Sequence, residues 1–584
     1  FFCFCAALVS LCVRVSRSSS QRRSSIETSL PTKPTKSPTT QNKHTRKKEK
    51  MSDLWEQFNA LPGWKVALGT ATTIVLAKTL SSAVSDPAAF KQLVVGSLIK
   101  SLRNSVPFVG QMVKGKIDEQ VAGLEKQFDI PDVEKFFELP LEGKSREDVL
   151  QLLELLSKKE EHHWKGGKVS GVVYGNDPDH TALMVKALET FAVTNPLHPE
   201  VFPSIRKFES EIIAMTVNLL APGVAGVCGA VTSGGSDSIL MAVKTHRDYY
   251  RTHRGITAPE MIVPESAHAA FSKAAHYFGI KIHKVPVRVP SFDADVAAMT
   301  KLINANTIMF VGSAPSYSYG IIDPIEDLAQ VAKAHGIGLH VDSCLGGFIL
   351  PFFQRIEGFA EHIPRFDFTV DGVTSMSADT HKYGYAVKGT SVVMFRTPEL
   401  RKSMYFVDTE WPGGVYASHG VAGSRPGCLI AACWTSLVST GFNGYLTKAR
   451  GIAATQAQIK AAIPRDFTDV ELCGDSYSTV LGFKSVNPKE LNIFSVMEGM
   501  TKRGWSLNAM QKPNSLHLCL TGRHVGKAEE FLADFHDAIA EAKSNPKLSD
   551  EGAAPIYGLA YGMPDRSLVD EVIISYLDIL LQPL

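Results

Sequence analysis

The stretch Ser377-Ala378-Asp379-Thr380-His381-Lys382-Tyr383-Gly384 decides the reading of this chain, because it sets one lysine where capture of an aldehyde needs it. A lysine amine that joins an aldehyde as a Schiff base must be held rigidly and partly shielded from water. It is then neutral and nucleophilic near pH 7. Lys382 stands between a histidine and a Tyr-Gly turn, and the apolar, β-branched run at 390–395 behind it reads as a buried strand. A His-Lys pair alone carries little weight, since most lysines are solvated surface charges. The case rests on three elements upstream and on their order.

The first is the turn Val231-Thr232-Ser233-Gly234-Gly235-Ser236-Asp237-Ser238, which opens a helical pattern at 239–250 with Leu240, Val243 and Tyr250 on one face. Gly234, Gly235 and Ser236 leading into a helix let backbone N–H groups close on a phosphate, and the helix dipole favours that charge. The turn lacks the lysine of a P-loop and the third glycine of a dinucleotide fingerprint. By itself it reads equally as an ordinary helix start. The second element is His268, just beyond the short apolar run at 261–263. Its imidazole can lie against an aromatic ring or, equally, cap a helix through a backbone bond. The third is Asp342, which ends the strand pattern Gly338-Leu339-His340-Val341-Asp342. Ligands of open α/β sheets bind beyond the carboxyl ends of the strands, where Asp342 falls. A carboxylate there can keep a pyridine nitrogen protonated and make the ring an electron sink. Strand-ending aspartates are common, so the ordered set carries the inference: phosphate turn, ring-facing His268, ring-nitrogen Asp342, then Lys382.

The surrounding pattern agrees with an α/β fold. Helical periods at 212–220, 239–250, 267–278, 296–304 and 325–335 alternate with strand patterns at 261–263, 307–311, 338–341 and 390–395. Such alternation predicts a mostly parallel sheet covered on both faces. Beyond 455 the order changes to a strand at 479–483, a helix at 493–504, a strand at 516–520 and a helix at 527–542, a smaller α+β domain. The expected organisation is a leader at 1–50, an N-terminal segment at 51–105, a helical segment at 106–205, a large domain at 206–455 and a small domain at 456–584.

Composition narrows the function classes. The 584 residues are 44% hydrophobic and 21% charged with a net charge of +2, which gives no reason to expect a nucleic-acid partner. Nine cysteines in this length do not make a disulfide scaffold, and none stands in C-x-x-C spacing, so no metal site is expected. Residues 16–50 are rich in Ser, Thr, Lys and Arg and cannot bury a core. The first methionine is Met51. The simpler account of 1–50 is upstream sequence ahead of a natural start at Met51, and the alternative is a targeting segment.

A candidate transmembrane helix lies near 64–84. The apolar stretch between Lys65 and Lys78 is short of the about 20 residues a spanning helix needs, and reaching Val84 requires Lys78 to snorkel. Asp53 and Glu56 precede it, whereas Lys91, Lys100, Arg103, Lys114 and Lys116 follow, a bias that puts the downstream part in the cytosol.

Further blocks share a pattern with the four elements above: Asn195-Pro196-Leu197-His198-Pro199, Ser266-Ala267-His268-Ala269-Ala270-Phe271 and Ala422-Gly423-Ser424-Arg425-Pro426-Gly427. With them, the chain from 164 to 584 resembles pyridoxal-phosphate enzymes of the aspartate-aminotransferase-like fold, fold type I. Within their group II decarboxylase-related branch it is similar to the sphingosine-1-phosphate lyase family. That resemblance implies a pyridoxal 5'-phosphate cofactor held by Lys382, His268, Asp342, His381, Gly234, Gly235, Ser236, Gly423 and Ser424. It implies a phosphorylated sphingoid-base substrate whose phosphate meets Tyr174, His198 and Lys388, with Tyr416 assisting proton transfer. It further implies an endoplasmic-reticulum membrane anchor, and a homodimer in which Tyr174, His198, Gly423 and Ser424 come from the neighbouring subunit. Amino-acid decarboxylases share the Lys, Asp and His pattern and form the rival reading. One departure is visible: Ser236-Asp237 stands where relatives commonly carry Thr-Glu, with hydroxyl and charge kept.

Overall fold

The computed structural model describes residues 133–545 and 566–582, with 115, 130 and 548. The leader at 1–50 and the segment at 64–84 lie outside the described residues. Among the described residues no helix is long and apolar enough to cross a membrane. Residues 129–584 form one compact unit, and the description below is of that unit.

Helix α1 (Arg146–Trp164) starts at Ser145, whose hydroxyl accepts the Asp148 N–H. Helices α2 (Pro178–Thr190) and α3 (Pro203–Leu220) follow, each with proline in its first turn. The chain then builds a seven-stranded sheet: β1 (Cys228–Thr232), β2 (Glu260–Pro264), β3 (Lys281–Val285), β4 (Thr307–Ser313), β5 (Gly338–Asp342), β6 (Ser375–Ala378) and β7 (Ser391–Phe395). Their spatial order is β1-β7-β6-β5-β4-β2-β3, with β7 antiparallel to both neighbours and the other pairs parallel. Strands β2, β4, β5 and β7 are buried at every position, and β2, β4 and β7 accordingly carry the consecutive apolar runs 261–263, 308–311 and 392–395.

Interleaved helices cover this sheet: α4 (Gly235–Arg254), α5 (Ala269–Phe278), α6 (Val296–Thr300), α7 (Ile325–His335), α8 (Leu350–Phe353) and α9 (Pro398–Lys402). Helix α4 lies against β6 and β7, whereas α7 lies against β4 and β5. The hairpin β8 (Phe406–Asp408) and β9 (Tyr416–Ser418) leads into the long helix α10 (Gly427–Asp466). That helix breaks at Gly441, whose φ of 60° an L side chain rarely adopts.

The C-terminal part is the four-stranded antiparallel sheet β10 (Val470–Leu472), β11 (Val480–Ser485), β12 (Asn508–Met510) and β13 (Ser515–Cys519), in the order β10-β11-β13-β12. Helices α11 (Ile493–Lys502) and α12 (Ala528–Ser544) accompany it, and α13 (Arg566–Leu581) follows. Phe483, Trp505, Phe531 and Phe535 are fully buried there. The boundary expected at 455/456 falls inside α10, which continues to Asp466. One continuous apolar cluster joins Phe310 and Leu339 of the large sheet to Leu516 and Phe531 of the small one. The two sheets therefore share a core, so the small sheet is built into the body of the unit.

Candidate active site

Three parallel-sheet features converge at the carboxyl end of the large sheet. Residue register sets Asp342 beside Ser377 on β6 and Ser313 on β4. The Asp342 carboxylate is buried, and its Oδ1 accepts the Cys344 N–H at 3.0 Å and the Ser377 hydroxyl at 3.2 Å. Burial pushes this carboxyl up, but neighbouring His268 and the bonds from Cys344 outweigh it and hold Asp342 below the usual carboxylate range. Behind it, His340 meets Ser375 Oγ through Nδ1 at 2.8 Å and Ser377 Oγ through Nε2 at 3.2 Å. Burial drives His340 down to about 3, so its ring is neutral near pH 7. Since Ser377 donates to Asp342, it accepts from His340 Nε2–H, and this fixes the tautomer. His268 caps α5, its Nδ1 accepting the Ala270 N–H at 3.1 Å. The capping reading of His268 is thus realised, with the ring still close enough to Asp342 to act on its charge.

The second feature is the start of α4. Gly234 offers no side-chain cap, so the N–H groups of Gly235, Ser236 and Asp237 head an uncapped first turn. Asp237 folds back, its Oδ2 accepting both the backbone N–H and the hydroxyl of Ser233 at 3.0 Å, while Oδ1 is buried without a partner. A chain of hydroxyls ties this turn to the lysine segment: Thr232 to Ser238 at 2.6 Å, Ser238 to Ser391 at 2.8 Å, and Ser391 to the Ala378 carbonyl at 3.1 Å. Glycine at 235 is required by close approach, because a Cβ there would lie 2.7 Å from both Asp379 carboxylate oxygens and 2.9 Å from Cys344 Sγ.

The third is the lysine turn between β6 and β7. Lys382 Nζ sits 2.9 Å from Asp379 Oδ2; 24% of the lysine side chain and 2% of the aspartate's are exposed. Burial pushes the amine down, but Asp379 outweighs it and carries Lys382 above the ordinary lysine value. Asp379, a buried carboxylate with no role in the sequence pattern, is the group that favours its charged form. His381 donates from Nδ1 to the Thr390 carbonyl at 2.6 Å, and burial lowers it. Tyr383 is buried and donates to the Leu520 carbonyl at 2.6 Å, linking the turn to the small sheet. Tyr385 has a φ of 55°, unusual for a bulky residue. The surrounding carbonyls are pinned: that of Gly384 accepts from Ser436 at 2.8 Å and Tyr445 at 2.9 Å, and His180 Nε2 meets that of Tyr385 at 3.3 Å.

Lys388 lies 4.9 Å over the ring of Tyr174, which in turn meets Tyr383 edge-on at 5.0 Å. Burial, then Lys382, lowers Lys388, and among the described residues it has no carboxylate partner. Tyr174 is 9% exposed, and burial pushes its hydroxyl well up, so it stays protonated. Its contacts to Tyr383 and Lys388 are within one chain. The remaining residues form a separate group. Ser424 accepts from Asn195 at 3.0 Å, exposed His198 pairs with Glu200 at 3.3 Å, and Tyr416 on β9 points its hydroxyl to Gly423. Among the described residues none of their contacts is to Lys382. Asp379, Ser377 and Cys344 belong to the site and were not foreseen, although Asp379 stands within the stretch that decided the reading.

The residues present fit pyridoxal 5'-phosphate. An uncapped helix start suits its phosphate, a buried carboxylate held as an anion suits its ring nitrogen, and an amine lies between them. Buried Ser266 Oγ, Asp237 Oδ1 and Asp379 Oδ1 lack hydrogen-bond partners around that space.

Comparison with known proteins gives the same family from three directions. Residues 138–486 match the pyridoxal-dependent decarboxylase conserved domain, more than half of the chain. A sphingosine-1-phosphate lyase of Dictyostelium discoideum is 44% identical over 522 residues, spanning 89% of this chain and 96% of its own length. One from Oryza sativa subsp. japonica is 48% identical over 448 residues, 76% of this chain and 81% of its own. Among solved structures, the sphingosine-1-phosphate lyase of Burkholderia pseudomallei is 39% identical with a TM-score of 0.68, covering 73% of this chain and 98% of that one.

Proposed function

This chain belongs to the sphingosine-1-phosphate lyase family, and from that premise we propose that it splits sphingosine 1-phosphate and related phosphorylated long-chain bases into a long-chain aldehyde and phosphoethanolamine. The observation that carries this reading is Lys388, an exposed cation with no ion-pair partner among the described residues, 4.9 Å over Tyr174 and close enough to Lys382 to feel its charge. A substrate phosphate supplies the missing counter-charge.

When bound, pyridoxal phosphate supplies an electron sink for the pair left on the amine-bearing carbon as its bond to the hydroxyl-bearing carbon breaks. The chain's own groups do the rest. Asp342, held as an anion, keeps a proton on the ring nitrogen, and the Ser377 and Cys344 bonds stop it from turning away. The α4 start and His381 bind the cofactor phosphate. Tyr174 and Lys388 hold the substrate phosphate, fixing the amine end while the alkyl chain leads away. Release of the aldehyde requires the 3-hydroxyl to lose its proton, a transfer assigned to Tyr416.

The working unit in this proposal is a homodimer, in which a second copy brings its His198, Tyr416, Gly423 and Ser424 to Lys382. The contacts of these four among the described residues, none of which is to Lys382, support it. Mixing a Lys382→Ala chain with a Ser424→Ala chain tests it: dimers that share sites regain activity, whereas self-contained sites do not. The proposed location is the endoplasmic-reticulum membrane with the catalytic part in the cytosol, supported by the charge bias around 64–84. A glycosylation acceptor fused near Met51 should be modified in an intact membrane system. Product analysis decides the activity. A long-chain aldehyde and phosphoethanolamine from sphingosine 1-phosphate, with no carbon dioxide from glutamate or aromatic amino acids, is the expected result.

A further inference from the structure

We propose that Asp379 is a catalytic residue of cofactor capture: its buried carboxylate holds the Lys382 amine as a cation and takes the proton that the amine must shed before it can bond to an aldehyde. This deepens the proposed function and rests on it. The geometry carries it. Asp379 Oδ2 lies 2.9 Å from Nζ, within hydrogen-bond distance of the reacting atom, and 2% of the carboxylate side chain is exposed. Oδ1 is buried with no partner, and both oxygens lie 2.7 Å from where a Cβ on Gly235, at the head of α4, would stand. The carboxylate therefore stands between the amine and the helix start to which the cofactor phosphate is assigned.

The other titratable groups around Nζ leave Asp379 as its counter-ion. His381 and Lys388 face it from the same loop, Cys344 from the end of β5, Tyr174 from the N-terminal segment and Cys519 from β13. Burial pushes both thiols and the tyrosine up, so all three are neutral near pH 7. Burial pushes His381 down, so it is neutral too, and Lys388 repels the amine's charge.

The ammonium gives one proton to Asp379, and the freed lone pair adds to the aldehyde carbon. The carbonyl oxygen leaves as water with two protons, one from the amine and one returned by Asp379. The C=N bond keeps the third proton and the positive charge.

The test uses the full chain stripped of cofactor, with pyridoxal 5'-phosphate added at pH 6 to 10 and the rate of visible-absorbing adduct formation followed. Asp379→Asn is expected to move the midpoint of the rate–pH curve downward by about one unit or more, a tenfold change in the fraction of reactive amine at a given pH. It should also lower the plateau rate above that midpoint about tenfold or more, because no carboxylic acid returns a proton to the leaving water; an unchanged plateau overturns the proton-transfer role. A midpoint that stays in place, or rises, overturns the proposal. If wild-type chain forms no adduct at any pH, the functional reading itself falls. A second measurement does not depend on the variant's folding. Trace acetylation of wild-type stripped chain, mapped by peptide mass spectrometry, should show Lys382 reactivity still climbing above pH about 10.4, where exposed lysines level off. Levelling with the exposed lysines overturns it equally.

Discussion

Replacing Lys388 with methionine separates binding from stability, because the two should move in opposite directions. The ammonium lies 4.9 Å over the Tyr174 ring, exposed and without an ion-pair partner among the described residues. A charge-assisted hydrogen bond to phosphate contributes about 1.5–3 kcal/mol. At about 1.4 kcal/mol per tenfold, its loss should lower kcat/KM for a phosphorylated base by about 10- to 150-fold. Stability follows the opposite sign. Burial holds the folded Lys388 below its unfolded value, so the charged form costs stability throughout the pH range below the folded value. That cost fades as pH rises towards the unfolded value of about 10.4. Methionine keeps the apolar stem and removes the charge, giving up a cation–π contact of about 0.5–1 kcal/mol. The melting temperature at pH 7 should be unchanged or higher, with any gain shrinking by pH 10. The assay is steady-state aldehyde release from sphingosine 1-phosphate and from unphosphorylated sphingosine, beside thermal melts at both pH values. Wild-type kcat/KM with the phosphorylated base, or an equal loss with both bases, refutes the assignment. So does a melt several degrees lower at pH 7.

Lys382→Ala should abolish both the visible absorbance of bound cofactor and turnover, and borohydride reduction of wild-type protein should leave the label on the peptide bearing Lys382. Ser377→Ala removes a donor to Asp342 and strands His340 Nε2–H. It should cost about 1–3 kcal/mol of stability, read by urea unfolding, and weaken cofactor affinity, while Ser377→Thr restores most of both. Gly235→Ala sets a methyl 2.7 Å from the Asp379 oxygens, so that carboxylate or the α4 start must shift. Cofactor affinity should fall tenfold or more in equilibrium dialysis, with the melting temperature of the stripped chain moving much less.

The order of the key residues was legible because each stands at a chemically marked position. Asp342 ends an apolar strand, Gly234-Gly235 opens a helix, and Lys382 precedes a Tyr-Gly turn. Helix α7 was readable over its full length, since its apolar period is uninterrupted from Ile325 to His335. Helix α4 begins at Gly235, earlier than its period shows, because its first turn is made of glycine and polar residues. Strand β6, Ser-Met-Ser-Ala, is too short and polar to read as a strand, yet it carries Ser377. Helix α10 was missed as one element because Gly441 and Pro464 interrupt any helical signal. Asp379 was invisible as a functional group for a different reason. Its role arises from a turn that folds its carboxylate back to 2.9 Å from the Lys382 amine, and no hydrophobic period records that geometry.

Two carbonyls beside the reactive lysine are pinned by Ser436, Tyr445 and His180, all outside the turn that carries it. A survey of inactivating substitutions should therefore turn up colourless protein from mutations in these supporting helices. Such variants would be misfiled as folding defects if only residues near 382 were checked. Their cure, where one exists, would be a surplus of vitamin B6, because a loosened but intact turn can still be filled by mass action.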